Sequence, residues 1–121
     1  MPSSAVILFA HGAREPEWAL PFERIRDRLR SEGQRVELAY LEIMKPSLED
    51  AARALAAEGL KSVAIVPLFL AQGKHLKHQL PELVAGLKHR HANIDFRVTP
   101  ALGDAPEIVA AITAWVKRAA G

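Results

Sequence analysis

The stretch SVAIVPLFL, residues 62–70, decides the fold class because it is almost continuously apolar and rich in branched side chains. A strand of this composition is covered on both faces, as in a parallel sheet that lies between two layers of helices. The stretch AVILFA, residues 5–10, has the same character. Two further apolar segments with β-branched residues lie at residues 35–43 and 94–101. The sequence therefore predicts four strands.

The segments between and after these strands have the periodicity of amphipathic helices. Their apolar residues recur three or four positions apart, in the stripes Trp18–Phe22–Ile25–Leu29, Leu48–Ala52–Leu55, Leu80–Leu83–Val84–Leu87 and Ile108–Ala111–Ile112–Trp115–Val116. Ser47 followed by Asp50 predicts a capping box for the second helix, and Asp104 predicts a cap for the fourth. Pro21 and Pro81 leave the starts of the first and third helices open by several residues.

This alternation predicts an α/β fold with a single doubly wound, mostly parallel four-stranded sheet and helices on both faces. A chain of 121 residues suits one domain, which we place at residues 1–121. Ligands of such sheets bind beyond the carboxyl ends of the strands, near the point where the strand order reverses. Polar residues that follow a strand are therefore candidates for a binding site.

The composition excludes several classes of protein. The chain has no cysteine, which excludes disulfides and thiolate metal sites. It has no apolar run near the roughly 20 residues of a membrane span and no start typical of a secretory signal, so we expect a cytoplasmic protein without a membrane partner. The net charge of +2 is too small to favour nucleic acid, although it suits an anionic small molecule.

Three ionisable residues follow three different predicted strands. His11 follows the first strand, Glu42 ends the second, and His75 comes soon after the third. In a doubly wound sheet they would converge on one cleft, where two imidazoles and a carboxylate suit divalent Fe, Co, Ni or Zn. A neutral imidazole could equally act as a general base near pH 7. The structural alternatives are a backbone-bonded His11, a Glu42 paired with Lys45, and a His75 in a solvated basic turn.

Other histidines and glycines carry weaker signals. We interpret His78 as a rim residue, and His89 and His91 as surface caps at the end of the third helix, where the helix dipole favours cations. The turn after the first strand lacks the glycine patterns of dinucleotide and P-loop sites. A histidine phosphatase is disfavoured because Ala10 stands where that class has an arginine before its histidine.

Three motifs together resemble the small, single-domain sirohydrochlorin chelatases, the CbiX-like class II chelatases. ILFAHGAREPE (7–17) resembles the HGSR opening of that family, and YLEIMKPSLEDA (40–51) resembles its glutamate before P-S-L. VPLFLAQGKHLKHQLPEL (66–83) resembles its P-L-F-L-x-x-G-x-H segment, which an I-P-like helix start follows. The order and spacing of the motifs are kept over residues 5–116.

The resemblance implies the fold of one half of a two-domain chelatase, assembled as a homodimer. It also implies insertion of Co²⁺ or Fe²⁺, and in some relatives Ni²⁺, into sirohydrochlorin or a related tetrapyrrole on the way to cobalamin or sirohaem. The metal is then a substrate, and no permanently bound cofactor is expected. His11 and His75 would be the metal-binding and catalytic residues, with Glu42 as a further metal ligand.

Basic residues beside the predicted cleft would bind the substrate. Arg14, Lys74 and Lys77 could pair with the carboxylates of the tetrapyrrole, and Leu70, Leu76 and Met44 are candidate contacts for its apolar face. Two departures from the family pattern are Ala13, where the family has serine, and His78–Gln79, where members often have an acidic residue. The other interpretation of the same cleft is a non-catalytic metal or tetrapyrrole carrier.

Overall fold

Four parallel strands form one sheet in the order β2-β1-β3-β4 in the computed structural model, which describes residues 3–121. The strands are β1 (Ser4–Ala10), β2 (Val36–Tyr40), β3 (Ser62–Pro67) and β4 (Asp95–Val98). In the pairing of β1 with β2, Val6 lies opposite Val36. In the pairing of β1 with β3, Ser4 lies opposite Ser62. The predicted α/β fold with a parallel four-stranded sheet is confirmed, although every strand except β1 is shorter than the apolar segment that predicted it.

The helices follow the strands in the predicted alternation. They are α1 (Leu20–Ser31), α2 (Leu48–Ala57), α3 (Lys74–Arg90) and α4 (Pro106–Ala120), with short 3-10 helices at Pro16–Ala19 and Leu102–Asp104. One face of the sheet packs against α1, and the other packs against α2 and α3. Helices therefore cover both faces, as the doubly wound prediction requires.

The central strand β1 shows why its sequence is continuously apolar. Ile7 and Phe9 are buried on the side of α2 and α3, whereas Leu8 and Ala10 are buried on the side of α1. Successive side chains of a strand point to opposite faces, so a strand between two helix layers has no position left for a polar residue. The site residues can therefore only follow the strand.

The predicted capping box at the start of α2 is confirmed. The Ser47 hydroxyl accepts a hydrogen bond from the Asp50 backbone N–H at 3.1 Å, and the Asp50 carboxylate accepts one from the Ser47 N–H at 3.1 Å. The predicted cap at Asp104 is wrong. The residue before α4 is Ala105, which makes no side-chain cap bond, and the helix starts with Pro106, whose fixed φ suits the first helical position.

The start of α3 also differs from the prediction. The helix begins at Lys74 and passes through Pro81, so Leu80–Pro81 is not a helix start. Proline removes one hydrogen bond inside a helix, but burial of Leu80 before it and of Val84 after it holds the turns on either side. His75 consequently lies in the first turn of a helix instead of at the end of a strand.

The last helix, α4, packs on neither face of the sheet, and none of its residues is buried. Among residues 3–121, no helix combines the length and the apolar character needed to cross a membrane.

Candidate metal centre

His11 and Glu42 meet at the carboxyl edge of the sheet. Pairing between the first two strands continues past their ends, because Ala10 and His11 accept backbone hydrogen bonds from Leu41 and Glu42 at 2.9 and 3.1 Å. This ladder places the two side chains next to each other, with His11 Nε2 2.8 Å from Glu42 Oε1. The backbone-bonded alternative for His11 is therefore wrong, since its ring binds a carboxylate.

Gly12 makes this approach of the two segments possible. Its φ is +96°, a region that side chains with a Cβ rarely adopt. A Cβ at this position would lie 2.0 Å from the Glu42 carbonyl oxygen, well inside van der Waals contact. The absence of a side chain at Gly12 therefore sets the separation between the His11 and Glu42 backbones.

The residue after Glu42 is held in an unfavourable conformation. Ile43 has a φ of +69°, and the Met44 N–H donates to the Glu42 carbonyl across it at 2.7 Å. Positive φ is a genuine outlier for a β-branched residue, and such a residue costs of order 1–3 kcal/mol. Ile43 is 61% exposed, so its own packing does not explain the turn, which serves instead to direct the chain around Glu42.

The His11–Glu42 pair is open to solvent on one side and supported on the other. The His11 ring lies edge-on to Phe69 at a centroid distance of 6.3 Å, and Phe69 is held in turn by Phe9 at 5.7 Å. The side chains of His11 and Glu42 are 59% and 56% exposed. An ion pair this exposed adds little to stability, so the arrangement leaves both groups available to a ligand.

An apolar pocket of about 310 Å³ borders His11. Its lining consists of His11, Gly12, Ala13, Trp18, Phe22, Tyr40, Met44 and Leu68. The spacing predicts Trp18 in the apolar stripe of the first helix, but Trp18 lies in the 3-10 helix before α1 and is 62% exposed at this pocket. Its indole N–H donates to Glu15 at 3.3 Å. Burial, with a smaller contribution from Glu23, raises the pKa of the Tyr40 phenol above its ordinary value, so this hydroxyl stays protonated at neutral pH.

A second cavity, of about 300 Å³, adjoins this pocket and is more polar. Arg14 and Lys45 both line it, together with Tyr40 and Met44. Lys45 pairs with Asp50 at 3.7 Å, and Glu42 pairs with His11, so the predicted alternative of a Glu42–Lys45 pair is wrong. Sequence reasoning missed Lys45 as a site residue, although it follows Glu42 by only three positions.

The structure does not bring His75 to the pair. His75 is exposed in the first turn of α3, and its ring has no hydrogen-bond partner among residues 3–121. Within the same residues no group of three histidine, aspartate or glutamate side chains is close enough to hold a metal ion. Two of the three predicted ligands are therefore together, and the third lies on the helix that follows the loop after β3.

The remaining predicted substrate contacts divide between two regions. Met44 and Arg14 lie at the cavities beside His11, whereas Lys77 lines a separate groove of about 500 Å³ between α3 and the segment after β4. Lys74 and Leu70 are exposed near the start of α3, and Leu76 is buried in the core. The 500 Å³ groove is larger than the pocket at His11 but contains neither His11 nor Glu42 in its lining.

His91 caps the end of α3 as predicted, but it is largely covered instead of lying free at the surface. The His91 side chain is only 13% exposed, and its Nε2 lies 3.3 Å from Glu49 Oε1, an atom to which Arg90 also donates at 3.1 Å. His91 also packs near Phe96. The surface interpretation is wrong for His91 because α2 approaches the end of α3 closely, and it holds for His89, which is exposed.

Comparison with known proteins identifies the family. The family model described as CbiX matches residues 5–119, which takes in all the strands and helices except the first residue of β1 and the last residue of α4. The chain belongs to the CbiX family.

Members and solved structures similar to this CbiX-family chain agree with the fold. A sirohydrochlorin cobaltochelatase from Methanopyrus kandleri is 32% identical over 82 residues, which are 66% of this chain and 57% of that protein. This match therefore spans less than two thirds of the relative. The crystal structure of a CbiX protein from Marinobacter aquaeolei superposes with a TM-score of 0.84 at 30% identity, and the match covers 95% of both chains.

A longer chelatase shares the same fold. The sirohydrochlorin chelatase SirB from Bacillus subtilis subspecies spizizenii, in complex with cobalt, gives a TM-score of 0.78 at 25% identity. The match covers 98% of this chain but 51% of SirB, so SirB has room for a second unit of the same size.

Proposed function

We propose that this chain is a metal chelatase, a lyase that inserts Co²⁺ or Fe²⁺, or else Ni²⁺, into sirohydrochlorin or a related tetrapyrrole. The observation that carries the proposal is the exposed His11–Glu42 pair at the carboxyl edge of the sheet, with Nε2 and Oε1 2.8 Å apart. The names of the similar proteins, a cobaltochelatase and a chelatase in complex with cobalt, make Co²⁺ the first metal to test.

The separation of the two donor atoms suits a divalent ion. Bonds from such an ion to nitrogen or oxygen are about 2.0–2.1 Å long. Two neighbouring donors of an octahedral ion with such bonds lie ~2.9 Å apart, close to the 2.8 Å between His11 and Glu42. A metal ion can therefore replace the shared proton with little movement of either side chain. Two protein ligands leave the other positions open for water and for the incoming pyrrole nitrogens.

The chemistry of insertion gives each group a task. The ion must lose water, and the macrocycle must lose two pyrrole protons. Glu42 and His11 hold the ion, and an imidazole released from the ion is a base of suitable strength near neutral pH. Tyr40, whose raised pKa keeps it protonated, is a hydrogen-bond donor and not the base. We propose His75 as the second histidine of the reaction, brought to the pair by movement of the first turn of α3.

The cavities beside the pair fit the two sides of an anionic macrocycle. The apolar pocket of about 310 Å³ is at the small end of the range for ligand sites, so it would take an edge of the ring between Trp18 and Met44. Arg14 and Lys45 line the adjoining cavity and are placed to bind carboxylates at the periphery of that ring. Lys74 and Lys77 would contact carboxylates farther along the same substrate.

The test is anaerobic incubation of the protein with sirohydrochlorin and each of Co²⁺, Fe²⁺ and Ni²⁺, followed by absorption spectroscopy. We expect many turnovers per chain with at least one metal, and loss of turnover in His11→Ala, Glu42→Gln and His75→Ala. His89→Ala is the matched control, because His89 is an exposed histidine of α3 far along the helix from His75. Rates equal to spontaneous insertion with all three metals would refute the chelatase, and stoichiometric binding without turnover would identify a carrier.

The proposal includes one chelatase domain over residues 1–121 and the homodimer that the family resemblance implies.

A further inference from the structure

The most exposed apolar side chains of the described chain gather at the carboxyl edge of the sheet. Within residues 3–121, the large apolar side chains with the highest exposure, 61–67%, are Trp18, Ile43, Leu70 and Trp115. The first three lie in the segments that follow β1, β2 and β3, at the edge where His11 and Glu42 meet. Single exposed apolar side chains are normal, whereas several around a few polar groups are typical of a ligand-binding surface.

Ile43 differs from the other two because its backbone is strained. With a φ of +69° and a hydrogen bond from the Met44 N–H to the Glu42 carbonyl across it, it is the centre of a γ-turn of the rare, strained form. Glycine would make the same turn without a steric clash. An isoleucine here therefore destabilises the folded chain relative to glycine, while its side chain, 61% exposed, gains little from packing.

The turn at Ile43 is fixed from both sides. Before it, the Glu42 N–H donates to the His11 carbonyl at 3.1 Å, and after it the Pro46 carbonyl accepts a hydrogen bond from the Tyr40 N–H at 2.9 Å. The strained residue cannot relax without breaking these bonds, so its side chain keeps one direction. Since branching at Cβ also restricts χ1, Ile43 is a rigid apolar point on the surface.

Ile43 lies at the border between the charged and the apolar parts of the site. It lines the cavity of about 300 Å³ that Arg14 and Lys45 also line. The next residue, Met44, lines both this cavity and the apolar pocket beside His11. A ligand that reaches from Arg14 and Lys45 to His11 therefore passes Ile43.

A rigid apolar contact suits a flat ligand. A side chain that is already ordered loses little conformational freedom on binding, and a fixed point sets the height and the tilt of a ring that rests on it. Met44 cannot do the same, because its unbranched side chain is flexible and fills gaps of any shape.

We infer that Ile43 is a substrate-contacting residue, whose strained turn holds its side chain against the apolar ring of the tetrapyrrole beside the carboxylates that Arg14 and Lys45 bind. The contact positions the ring over the His11–Glu42 pair and involves no bond to the metal. It makes Ile43 a determinant of specificity, since the substrate has to present an apolar surface between its carboxylates and its metal-binding centre. The inference rests on the proposed function, because the occupant is the tetrapyrrole.

Binding of metal-free sirohydrochlorin, followed by the change in its fluorescence, tests the contact without turnover. We expect Ile43→Ala, which keeps the positive φ, to bind about tenfold more weakly, because the exposed part of an isoleucine side chain is lost from the contact. Ile43→Val, which keeps the branch at Cβ, should restore most of the affinity. Ile25→Ala is the matched control and should bind normally, because Ile25 is 43% exposed but lines neither cavity beside His11.

Titration with Co²⁺ in the absence of tetrapyrrole separates a substrate contact from an effect on the metal site. Ile43→Ala should bind Co²⁺ as the unchanged protein does, since Glu42 keeps its place. Ile43→Gly, which relieves the strain, should still bind sirohydrochlorin about tenfold more weakly. Unchanged sirohydrochlorin affinity in Ile43→Ala would overturn the inference. A matching loss of Co²⁺ affinity would overturn it too, because Ile43 would then act through Glu42.

The contact and the chelatase proposal fail in different experiments. An unchanged protein that binds no sirohydrochlorin refutes the proposed function and the contact together. An unchanged protein that binds sirohydrochlorin and inserts metal, with an Ile43→Ala variant that does both equally well, refutes the contact alone.

Discussion

Gly12→Ala tests whether the backbone approach of the first two strands builds the His11–Glu42 pair, the proposed metal site. Two effects act on the new methyl group. Alanine at a φ of +96° costs about 1–2 kcal/mol because of its Cβ. The Cβ would also lie 2.0 Å from the Glu42 carbonyl oxygen, so the segment after β2 must move away by more than 1 Å.

That movement breaks the bond from the Glu42 N–H to the His11 carbonyl, now 3.1 Å long. A lost hydrogen bond of this kind costs about 0.5–1.5 kcal/mol, so the total loss of unfolding free energy is about 1.5–3.5 kcal/mol. The displaced Glu42 can no longer share an ion with His11. Loss of a well-placed ligand worth about 1.4 kcal/mol or more corresponds to at least a tenfold weaker Co²⁺ affinity.

Gly33→Ala is the matched control. Gly33 has a φ of +91°, and a Cβ there would meet nothing within 4 Å, so this variant isolates the effect of φ alone. Urea unfolding should show a loss of about 1–2 kcal/mol for Gly33→Ala and a larger loss for Gly12→Ala. Calorimetric titration with Co²⁺ should show unchanged affinity for the former and weaker affinity for the latter. Equal stability losses together with equal affinities would refute the role assigned to Gly12.

Three further changes test the strained turn after Glu42, the capping box of α2 and the close contact at Gly103. Ile43→Gly should raise the unfolding free energy by about 0.5–1 kcal/mol by relieving the positive φ, whereas Ile43→Ala, which keeps the strain, should give no gain in the same urea experiment. Asp50→Asn should be less stable than the unchanged protein at pH 7, and the difference should shrink as the pH falls below about 3.9. Hydrogen bonds from Ser47, first from its backbone N–H, lower the pKa of Asp50. A depressed pKa gives stability that is present above the unfolded value of about 3.9 and is lost as pH falls through the folded value. A difference in stability that does not shrink at all below about pH 3.9 would contradict this. Gly103→Ala should destabilise the chain strongly and lower turnover, because its Cβ would meet the Leu70 carbonyl oxygen in the loop that leads to His75; an unchanged melting temperature would disprove that contact.

Much of the fold could be predicted because local chemistry specifies it. The apolar runs at residues 5–10 and 62–70 predict strands covered on both faces, and β1 and β3 lie within or at these runs. Ser47 with Asp50 satisfies the start of α2 without help from the rest of the chain. His11 and Glu42 could be found because the ends of parallel strands meet at one edge of a sheet.

Other features could not be read from the chain because they depend on where its loops and helices go. Because Leu76 and Leu80 are buried, α3 begins at Lys74, before Pro81. His75 therefore lies on a helix, apart from the His11–Glu42 pair. Trp18 has the spacing of a core residue but lies at the pocket, because the chain turns through a 3-10 helix before α1 begins. His91 is enclosed because α2 brings Glu49 to it.

The sequence by itself therefore determined the order of strands and helices along the chain and the capping of α2, since periodicity and short-range hydrogen bonds act within a few residues. It also placed His11 and Glu42 after two neighbouring strands. Only the tertiary structure decided which side chains meet across the carboxyl edge, because that depends on how two loops approach each other at Gly12. It also decided that α4 buries none of its residues and contacts mainly the 3-10 helix before it, since the amphipathic pattern of a helix does not say which surface the helix meets.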